Sequence, residues 1–243
     1  THIQVNNGEQ LQIAKNEKGQ LEVNGQAVTD VKVNGSEKAK EAMLPYFTEY
    51  FGNASSVYGF AGNSKEAMAK ARETIANSLG AKANEIYFTA GGSEADNWAL
   101  KATAEAYKAK GNHIITTKIE HHAILHTAEW LEKNGFEVTY LNVDENGVVK
   151  LDELKAAIRP ETILISVMFA NNEIGTIQPI KEIGEIAKAN GILFHTDAVQ
   201  AYGQVPINVD ELNIDMLSSS GHKLNGPKGI GFLYIRKGIK MRS

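Results

Sequence analysis

The 243-residue sequence predicts an α/β protein built on a seven-stranded, mostly parallel mixed sheet with helices on both faces. Two observations lead to this fold class. From residue 85 onward, short β-rich runs alternate with longer stretches whose apolar residues recur at helical spacing. Towards the end of the sequence, two such runs stand too close together for a helical crossover, so the last strand is expected to return antiparallel.

Seven segments have the character of strands. They are EIYFTA (85–90), HIITTK (113–118), EVTYLNV (137–143), TILISVMFA (162–170), GILFHTDA (191–198), IDMLSSS (214–220) and GIGFLYIR (229–236). Between the first six lie segments long enough for crossover helices, such as 93–110 and 180–190. Only about eight residues separate the sixth strand from the seventh. The first six strands are therefore expected to be parallel and the seventh antiparallel.

The N-terminal part of the sequence has a different character. Residues 63–79 predict an amphipathic helix with Asn63 or Ser64 as its N-cap. Residues 1–36 carry repeated Asn-Gly turn signals between short alternating stretches, which predict one or two small hairpins. We therefore divide the chain into a hairpin-like N-terminal segment (1–36) and a large domain (37–243).

Composition limits the classes of partner. A net charge of -4 gives no basic surface for nucleic acid or an anionic membrane, so small molecules and other proteins are the expected partners. No apolar stretch of about twenty residues and no signal-peptide pattern is present, which predicts a soluble, cytoplasmic protein. Because the sequence has no cysteine, these residues supply no disulfide, no thiolate metal ligand and no thiol nucleophile.

Polar residues gather at the ends of five of the six parallel strands, in TAGGSEADN, IEHHA, NNEIG, HTDAVQ and SSSGHK. Ligands of open α/β sheets bind outside the carboxyl ends of the parallel strands. The five groups are therefore expected to meet at one edge of the sheet, where they form a binding site.

The AGGSE stretch suits a phosphate. Its two glycines, one of them Gly92, let the backbone approach a ligand closely, and Ser93 begins a helix whose free N–H groups and positive dipole end favour an anion. The alternative is a simple glycine turn with a serine cap, because the stretch is neither a Walker A loop nor a G-x-G-x-x-G motif.

Other residues at these strand ends suit a flat, nitrogen-containing ring. Asp197 ends an apolar strand and needs a cationic partner such as a ligand nitrogen, unless it caps a turn. His121 can stack on a flat ligand or cap the helix that begins there. Asn172 and Gln200 can each donate a hydrogen bond to a phenolate-like oxygen, or belong to ordinary loops.

Lys223 completes the set. A lysine in a tight pocket can have its pKa lowered by desolvation and neighbouring cations, which frees the amine to form a Schiff base. A phosphate cradle, a carboxylate, a stacking ring and this amine together predict pyridoxal 5'-phosphate as the cofactor. The nearby histidines have an alternative use, because His122, His126 and Glu129 could together bind a metal ion. The H-E-x-x-H motif is absent, however, and no metal is predicted.

From Gly52 to Arg236 the sequence also resembles the large domain of class V, fold-type I pyridoxal-phosphate enzymes, and most of all the cysteine desulfurases of the NifS and IscS group. The resemblance covers about three quarters of the chain, and SGHK followed by GPKGIG is specific to the group. It is carried by FGNASS, YFTAGGSEADNWALK, EHHAIL, NNEIGTIQPI, HTDAVQAYG and SSSGHKLNGPKGIGFLYIR.

The resemblance implies a role for each candidate residue. Lys223 would hold the cofactor covalently and shuttle the substrate proton, and Asp197 would keep the pyridine nitrogen protonated. His121 would stack over the ring. Ring oxygen O3′ would be bound by Asn172 and Gln200, and the phosphate by the Gly92 backbone, Ser93, Ser220 and His222.

The resemblance further implies a reaction and its partners. L-Cysteine or a related amino acid would give alanine and an enzyme persulfide for Fe-S cluster assembly or other sulfur transfer, in a homodimer that serves an acceptor scaffold protein. The family continues beyond the point where this sequence stops, with a small domain and the catalytic cysteine, so this part is expected either in a longer form of the same chain or in a complementary C-terminal polypeptide. The alternatives are another class V reaction, such as that of a selenocysteine lyase, aminotransferase or kynureninase, and a non-catalytic binding module.

Overall fold

The computed structural model describes residues 36–56 and 58–241, together with three short strands upstream. These strands are β1 (Ile13–Lys15), β2 (Leu21–Val23) and β3 (Gln26–Ala27), and neighbours in the chain pair antiparallel. The Asn-Gly turns predicted between them lie outside the described residues. The boundary at residue 36 stays a prediction.

The main sheet has seven strands, as the sequence predicts. They are β4 (Ile86–Thr89), β5 (His113–Thr117), β6 (Glu137–Leu141), β7 (Thr162–Ser166), β8 (Leu193–Asp197), β9 (Met216–Ser220) and β10 (Gly231–Ile235). Their spatial order is β4-β10-β9-β8-β7-β5-β6. Strands β5 to β9 form parallel pairs, whereas β10 runs antiparallel to both of its neighbours. The predicted mixed α/β fold is confirmed.

Helices cover both faces of this sheet. They are α1 (Glu37–Met43), α2 (Pro45–Thr48), α3 (Gly62–Leu79), α4 (Gly92–Tyr107), α5 (His122–Lys133), α6 (Leu151–Ala157) and α7 (Ile180–Ala189). Adjacent strand residues point to opposite faces: Ile114 and Met216 pack with α4 and α5, while Ile115 and Leu217 pack with α3, α6 and α7. Burial on both faces explains the continuous apolar runs of the strands. Within the described part of the chain, no helix has the length and apolar character needed to span a membrane.

The predicted N-cap of α3 is wrong. The helix begins at Gly62 with Ala61 as its N-cap, and no side chain caps it. Ser64 lies inside the first turn, where its hydroxyl donates to the carbonyl of Tyr50 at 2.9 Å. The reason is that a 3₁₀ turn over Gly59–Ala61 leads straight into the helix, so no extended capping residue is needed.

Strand β7 ends four residues earlier than predicted. After Ser166 the chain still runs beside β8, and the N–H of Phe169 donates to the carbonyl of Asp197 at 2.8 Å. The intervening N–H of Met168 instead donates to the buried carboxylate of Glu120 at 2.9 Å. This interruption of the strand pairing turns the chain towards the site described next.

Candidate active site

One cavity of about 180 Å³ opens at the carboxyl ends of the parallel strands. It brings together all nine of the predicted site residues, which come from the segments after β4, β5, β7, β8 and β9. They are Gly92, Ser93, His121, Asn172, Asp197, Gln200, Ser220, His222 and Lys223. Four further residues line it that the sequence did not single out: Asp96, Met168, Ala170 and Val199. The expected meeting of five strand ends is thus observed.

The glycines at the start of α4 form a cradle that has no room for side chains. Gly91 has φ 155° and ψ −179°, a conformation open essentially only to glycine. A Cβ on Gly92 would lie 2.6 Å from Cγ2 of Val199, and a Cβ on Gly231 would lie 2.8 Å from the carbonyl carbon of Gly91. No described side chain caps the first turn of α4, so its N–H groups are available to an anion.

Lys223 lies on a single 3₁₀ turn, Gly221–Leu224, that follows β9 directly. The turn ends at Asn225, which adopts the left-handed conformation with φ 57°, and the N–H of Gly226 closes it by donating to the carbonyl of Gly221 at 2.9 Å. The Ser220 hydroxyl and Nδ1 of His222 are hydrogen-bonded at 2.8 Å. This short turn directs Lys223 into the same cavity as Asp197.

Asp197 is the last residue of β8 and is buried. Its Oδ1 accepts the N–H of Val199 at 2.9 Å, so it also caps the turn that follows, as one of the two interpretations expected. Burial raises the pKa of Asp197, and the Val199 N–H and the nearby His121 oppose that rise. A carboxylate in such a position is suited to a cationic ligand atom.

His121 caps a helix, as one of its two interpretations expected, and also lines the cavity. It is the N-cap of α5, where Nδ1 accepts the N–H of Ala123 at 3.1 Å, and it also lines the cavity. Since Nδ1 accepts, the proton of the neutral ring sits on Nε2. Asn172 is exposed at the rim of the cavity, whereas its neighbour Asn171 is buried and structural, donating through Nδ2 to the carbonyl of Ile119 at 2.9 Å.

Asp96 is the most notable addition to the predicted site. It lies on the first turns of α4, is only 1% exposed, and its Oδ1 has no hydrogen-bond partner among the described residues. Burial, and then the charge of Asp197, raises the pKa of Asp96 well above its ordinary value. Because Asp197 accepts an N–H that Asp96 lacks, we assign the shared proton to Asp96 and the charge to Asp197.

The sequence gives the position of Asp96 but does not indicate its role. Asp96 follows Gly92 by four residues, so it lies on the face of α4 that carries the glycine cradle. EADN resembles the exposed start of any helix, however, and nothing in it marks one carboxylate as buried.

Two more buried titratable groups support the floor of the cavity. Burial raises the pKa of Glu120 to about 8, although its Oε1 accepts from the Thr117 hydroxyl at 2.8 Å and from the Met168 N–H. His195 is held between the hydroxyls of Ser166 and Ser218, each 2.9 Å away, and burial lowers its pKa to about 3. The imidazole is therefore neutral and gives Asp96 no counter-charge.

The alternative metal site is not formed within the described residues. His122 and His126 stack ring on ring with 5.3 Å between centroids, and no group of three or more His, Asp or Glu side chains of the described chain is arranged to hold an ion. A larger groove of about 550 Å³ between α4 and α5 is lined by Trp98 and Trp130. It lies away from the converging strand ends and contains none of the predicted site residues.

The cavity residues fit pyridoxal phosphate. Gly92 presents bare backbone, because a Cβ there would lie 2.6 Å from Cγ2 of Val199, and the uncapped N–H groups beside it suit a phosphate. Asp197 offers a buried carboxylate for a protonated ring nitrogen, and Lys223 offers an amine for an aldehyde.

With this fold and this donor set, the chain belongs to the class V aminotransferase family, whose model matches residues 35–242. Among curated proteins it is similar to the cysteine desulfurase IscS of Methanosarcina thermophila, with 67% identity over 201 residues. It is also 64% identical over 203 residues to the cysteine desulfurase IscS of Clostridium botulinum, strain Kyoto.

Solved structures agree with this family assignment. A structure of SspA in complex with cysteine superimposes with a TM-score of 0.84 and 43% identity, and a NifS-like protein with a TM-score of 0.83 and 43% identity. Each match covers 86% of this chain, and 61% and 58% of the respective structures. The two curated matches cover 83% and 84% of this chain. The chain spans about half the length of those two relatives, 50% and 51%.

Proposed function

We propose that this chain is the cofactor-binding half of a pyridoxal-phosphate-dependent cysteine desulfurase that acts on L-cysteine. The observation that carries this proposal is that the Lys223 amine and the Asp197 carboxylate line one cavity with the uncapped start of α4. The cysteine desulfurase relatives and the SspA structure in complex with cysteine support the choice of substrate.

The chain's own residues have distinct tasks in this reaction. When bound, pyridoxal phosphate supplies an electron sink that makes the substrate Cα–H acidic. Lys223 holds the cofactor through Nζ and afterwards moves the proton at the substrate Cα. Asp197 holds a proton at the ring nitrogen, because a buried carboxylate needs a cationic partner. The His121 side chain, which lines the cavity, would hold the flat ring by stacking on it.

The other cavity residues orient the cofactor. The residues proposed for the phosphate combine the uncapped start of α4 with hydroxyl and imidazole donors. The residues after β7 and β8 offer side-chain amides to the ring oxygen. The phosphate is bound by the Gly92 backbone, Ser93, Ser220 and His222, and O3′ by Asn172 and Gln200.

The thiol that receives sulfur comes from outside these 243 residues, because they include no cysteine. In the overall reaction the C–S bond of the substrate breaks, an S–S bond to the thiol forms, and the carbon gains a proton. Cysteine and a thiol thus become alanine and a persulfide. The persulfide supplies Fe-S cluster assembly or another cytoplasmic sulfur-transfer pathway through an acceptor protein.

A homodimer is part of the proposal. Several large apolar side chains on and after α1 and α2 are exposed: Leu44, Tyr46, Phe47, Tyr50 and Phe51. An exposed apolar surface of this kind supports an assembly in which it is covered.

The visible spectrum of the purified protein, titrated with pyridoxal phosphate, tests the proposal. We expect an absorption band of the covalently held cofactor in the wild type and in the control variant Lys181→Ala, whose lysine is exposed on α7. Lys223→Ala is expected to lose this band, because Lys223 is the only lysine among the described residues that line this cavity. A band that survives Lys223→Ala unchanged contradicts the proposed role.

Product release by the wild-type protein with different substrates then distinguishes between the reactions of the class. Alanine release with cysteine, in the presence of the thiol-bearing remainder of the protein, is expected to exceed product release with selenocysteine, kynurenine or serine. A protein that binds the cofactor but prefers one of the other three substrates is a different class V enzyme. One that turns over none of them is a binding module.

A further inference from the structure

A second cavity, of about 430 Å³, adjoins the first on the other side of the glycine cradle. The two cavities share Gly92, Ser93, Ser220 and His222, so both open onto the start of α4. The second cavity adds Lys228, which has no role in the set of residues assigned above. Its position raises the question of which charge balances a phosphate at the cradle.

The cradle needs a permanent positive charge. A phosphate monoester carries about −1.5 to −2 charges at neutral pH. Glu94 lines the second cavity as well, with its carboxylate accepting the N–H of Ala90, and adds a further negative charge. The dipole of α4 offsets only about half a charge.

The other basic side chains at the two cavities do not supply that charge. Partial burial, and then the charges of Lys223 and Lys228, lowers the pKa of His222, which disfavours a permanent positive charge on its imidazole. In the proposed function the Lys223 amine is committed to the aldehyde end of the cofactor. His121 begins α5, a different helix from the one that forms the cradle, and does not line the second cavity.

Lys228 has an exposed side chain and lies in a loop whose backbone is closed by hydrogen bonds. The N–H of Gly221 donates to the carbonyl of Ile230 and the N–H of Gly226 to the carbonyl of Gly221, both at 2.9 Å, so residues 221–230 form a closed loop. Gly229, with φ +81°, permits the tight return. No acidic side chain of the described chain forms an ion pair with Lys228, so its ammonium remains available to a ligand.

We propose that Lys228 is a further phosphate-binding residue, whose ammonium supplies the permanent positive charge that the backbone N–H groups and hydroxyls of the glycine cradle lack. This proposal rests on the proposed function, because it concerns the phosphate of the same cofactor. It assigns to the GPKG loop a role in selecting the phosphorylated form of the cofactor.

The test compares two cofactor forms that differ only in the phosphate. Dissociation constants for pyridoxal phosphate and for pyridoxal are measured by absorbance titration of the full-length protein, at low and high salt. We expect Lys228→Gln to weaken pyridoxal phosphate binding about fivefold or more at low salt, less at high salt, and to leave pyridoxal binding unchanged. Lys228→Arg is expected to restore affinity, and Lys237→Gln, an exposed lysine away from both cavities, to match the wild type.

Two results overturn the assignment. One is a Lys228→Gln protein that binds pyridoxal phosphate as tightly as the wild type. The other is equal loss of affinity for both forms, which indicates damage to the loop rather than a lost phosphate contact. In either case the Lys223-dependent band of the wild type persists, so failure of this inference is distinct from failure of the proposed function. A wild type without that band overturns both.

Discussion

At the scale of residues, the site depends on which buried acid is charged. Asp96 and Asp197 lie in the same cavity, and burial raises the pKa of both. Asp197 has a backbone N–H donor that stabilises its carboxylate, whereas Oδ1 of Asp96 has no partner among the described residues. One carboxylate and one neutral acid are therefore the stable arrangement.

This assignment predicts opposite outcomes for two matched substitutions. Asp197→Asn is expected to weaken pyridoxal phosphate binding about 10- to 100-fold, because it removes a charged hydrogen-bond acceptor from the ring nitrogen. Asp96→Asn, which replaces a neutral acid by a neutral amide of the same size, is expected to change affinity by less than about threefold. Absorbance titration measures both. A larger loss in Asp96→Asn than in Asp197→Asn would place the charge on Asp96 instead.

The sequence could indicate Asp197 but not Asp96, for a physical reason. A carboxylate at the end of the apolar run GILFHTDA is conspicuous, because burying it without a partner is costly. Asp96 and Glu120 are surrounded by other polar residues in EADN and KIEHH, so their burial arises only when distant strands meet. The burial of these two acids becomes apparent only from the tertiary packing, which brings Met168 against Glu120.

At the scale of elements, the close contact between β10 and the glycine cradle is the most exacting feature. A Cβ on Gly231 would lie 2.5 Å from the carbonyl oxygen of Ser219 and 2.8 Å from the carbonyl carbon of Gly91. Both are backbone atoms, which cannot move aside as the end of a side chain can. The antiparallel strand therefore fixes the position of the cradle.

Gly231→Ala is expected to lower the free energy of unfolding by about 1 to 3 kcal/mol, because the added methyl group forces β10 away from its neighbours. Urea unfolding followed by circular dichroism measures the change. The control is Gly62→Ala at the start of α3, where a Cβ meets nothing within 4 Å and a small stabilisation is expected. A Gly231→Ala protein as stable as the wild type would show that this contact is not tight.

Element identity was predictable, while element ends were not. The alternation of β-rich and helical segments fixed all seven strands and the antiparallel return of the last, since a short connection cannot hold a crossover helix. The end of β7 depended on Glu120, which captures the Met168 N–H from 48 residues away in sequence. The start of α3 depended on a 3₁₀ turn whose sequence, GFA, gives no capping signal.

At the scale of the whole molecule, buried acids make stability depend on pH. In the folded protein the pKa of Glu120 is raised to about 8, against an ordinary value of 4.5. Between these values the folded state keeps a proton that the unfolded state has released. The contribution of Glu120 to stability therefore falls as pH rises from about 4.5 to 8, and is fully unfavourable above that range.

Glu120→Gln is expected to remove this dependence in the cofactor-free protein. The free energy of unfolding of the variant, minus that of the wild type, should increase by up to about 1.4 kcal/mol for each pH unit between pH 5 and 8. Asp96 and Asp197 are present in both proteins; the charge of Glu120 raises the pKa of Asp96, and the charge of Asp197 raises that of Glu120. Urea unfolding at several pH values measures the difference, with exposed Glu105→Gln as the control. A difference that is constant with pH would contradict a protonated Glu120.

In the proposed function, cofactor binding and sulfur acceptance belong to different parts of the protein. These 243 residues contain the nine residues proposed to bind pyridoxal phosphate, yet no cysteine, and they span about half of the relatives' length. Cofactor binding is therefore the activity on which the account of this chain depends.

Chemical reduction of the protein loaded with pyridoxal phosphate tests that account most directly. Borohydride converts the bond between cofactor and amine into a stable link, and peptide mass spectrometry then locates the modified lysine. We predict the label on the peptide that contains Lys223 and on no other in substantial amount. A label spread over surface lysines, or concentrated on Lys228, would contradict the central claim.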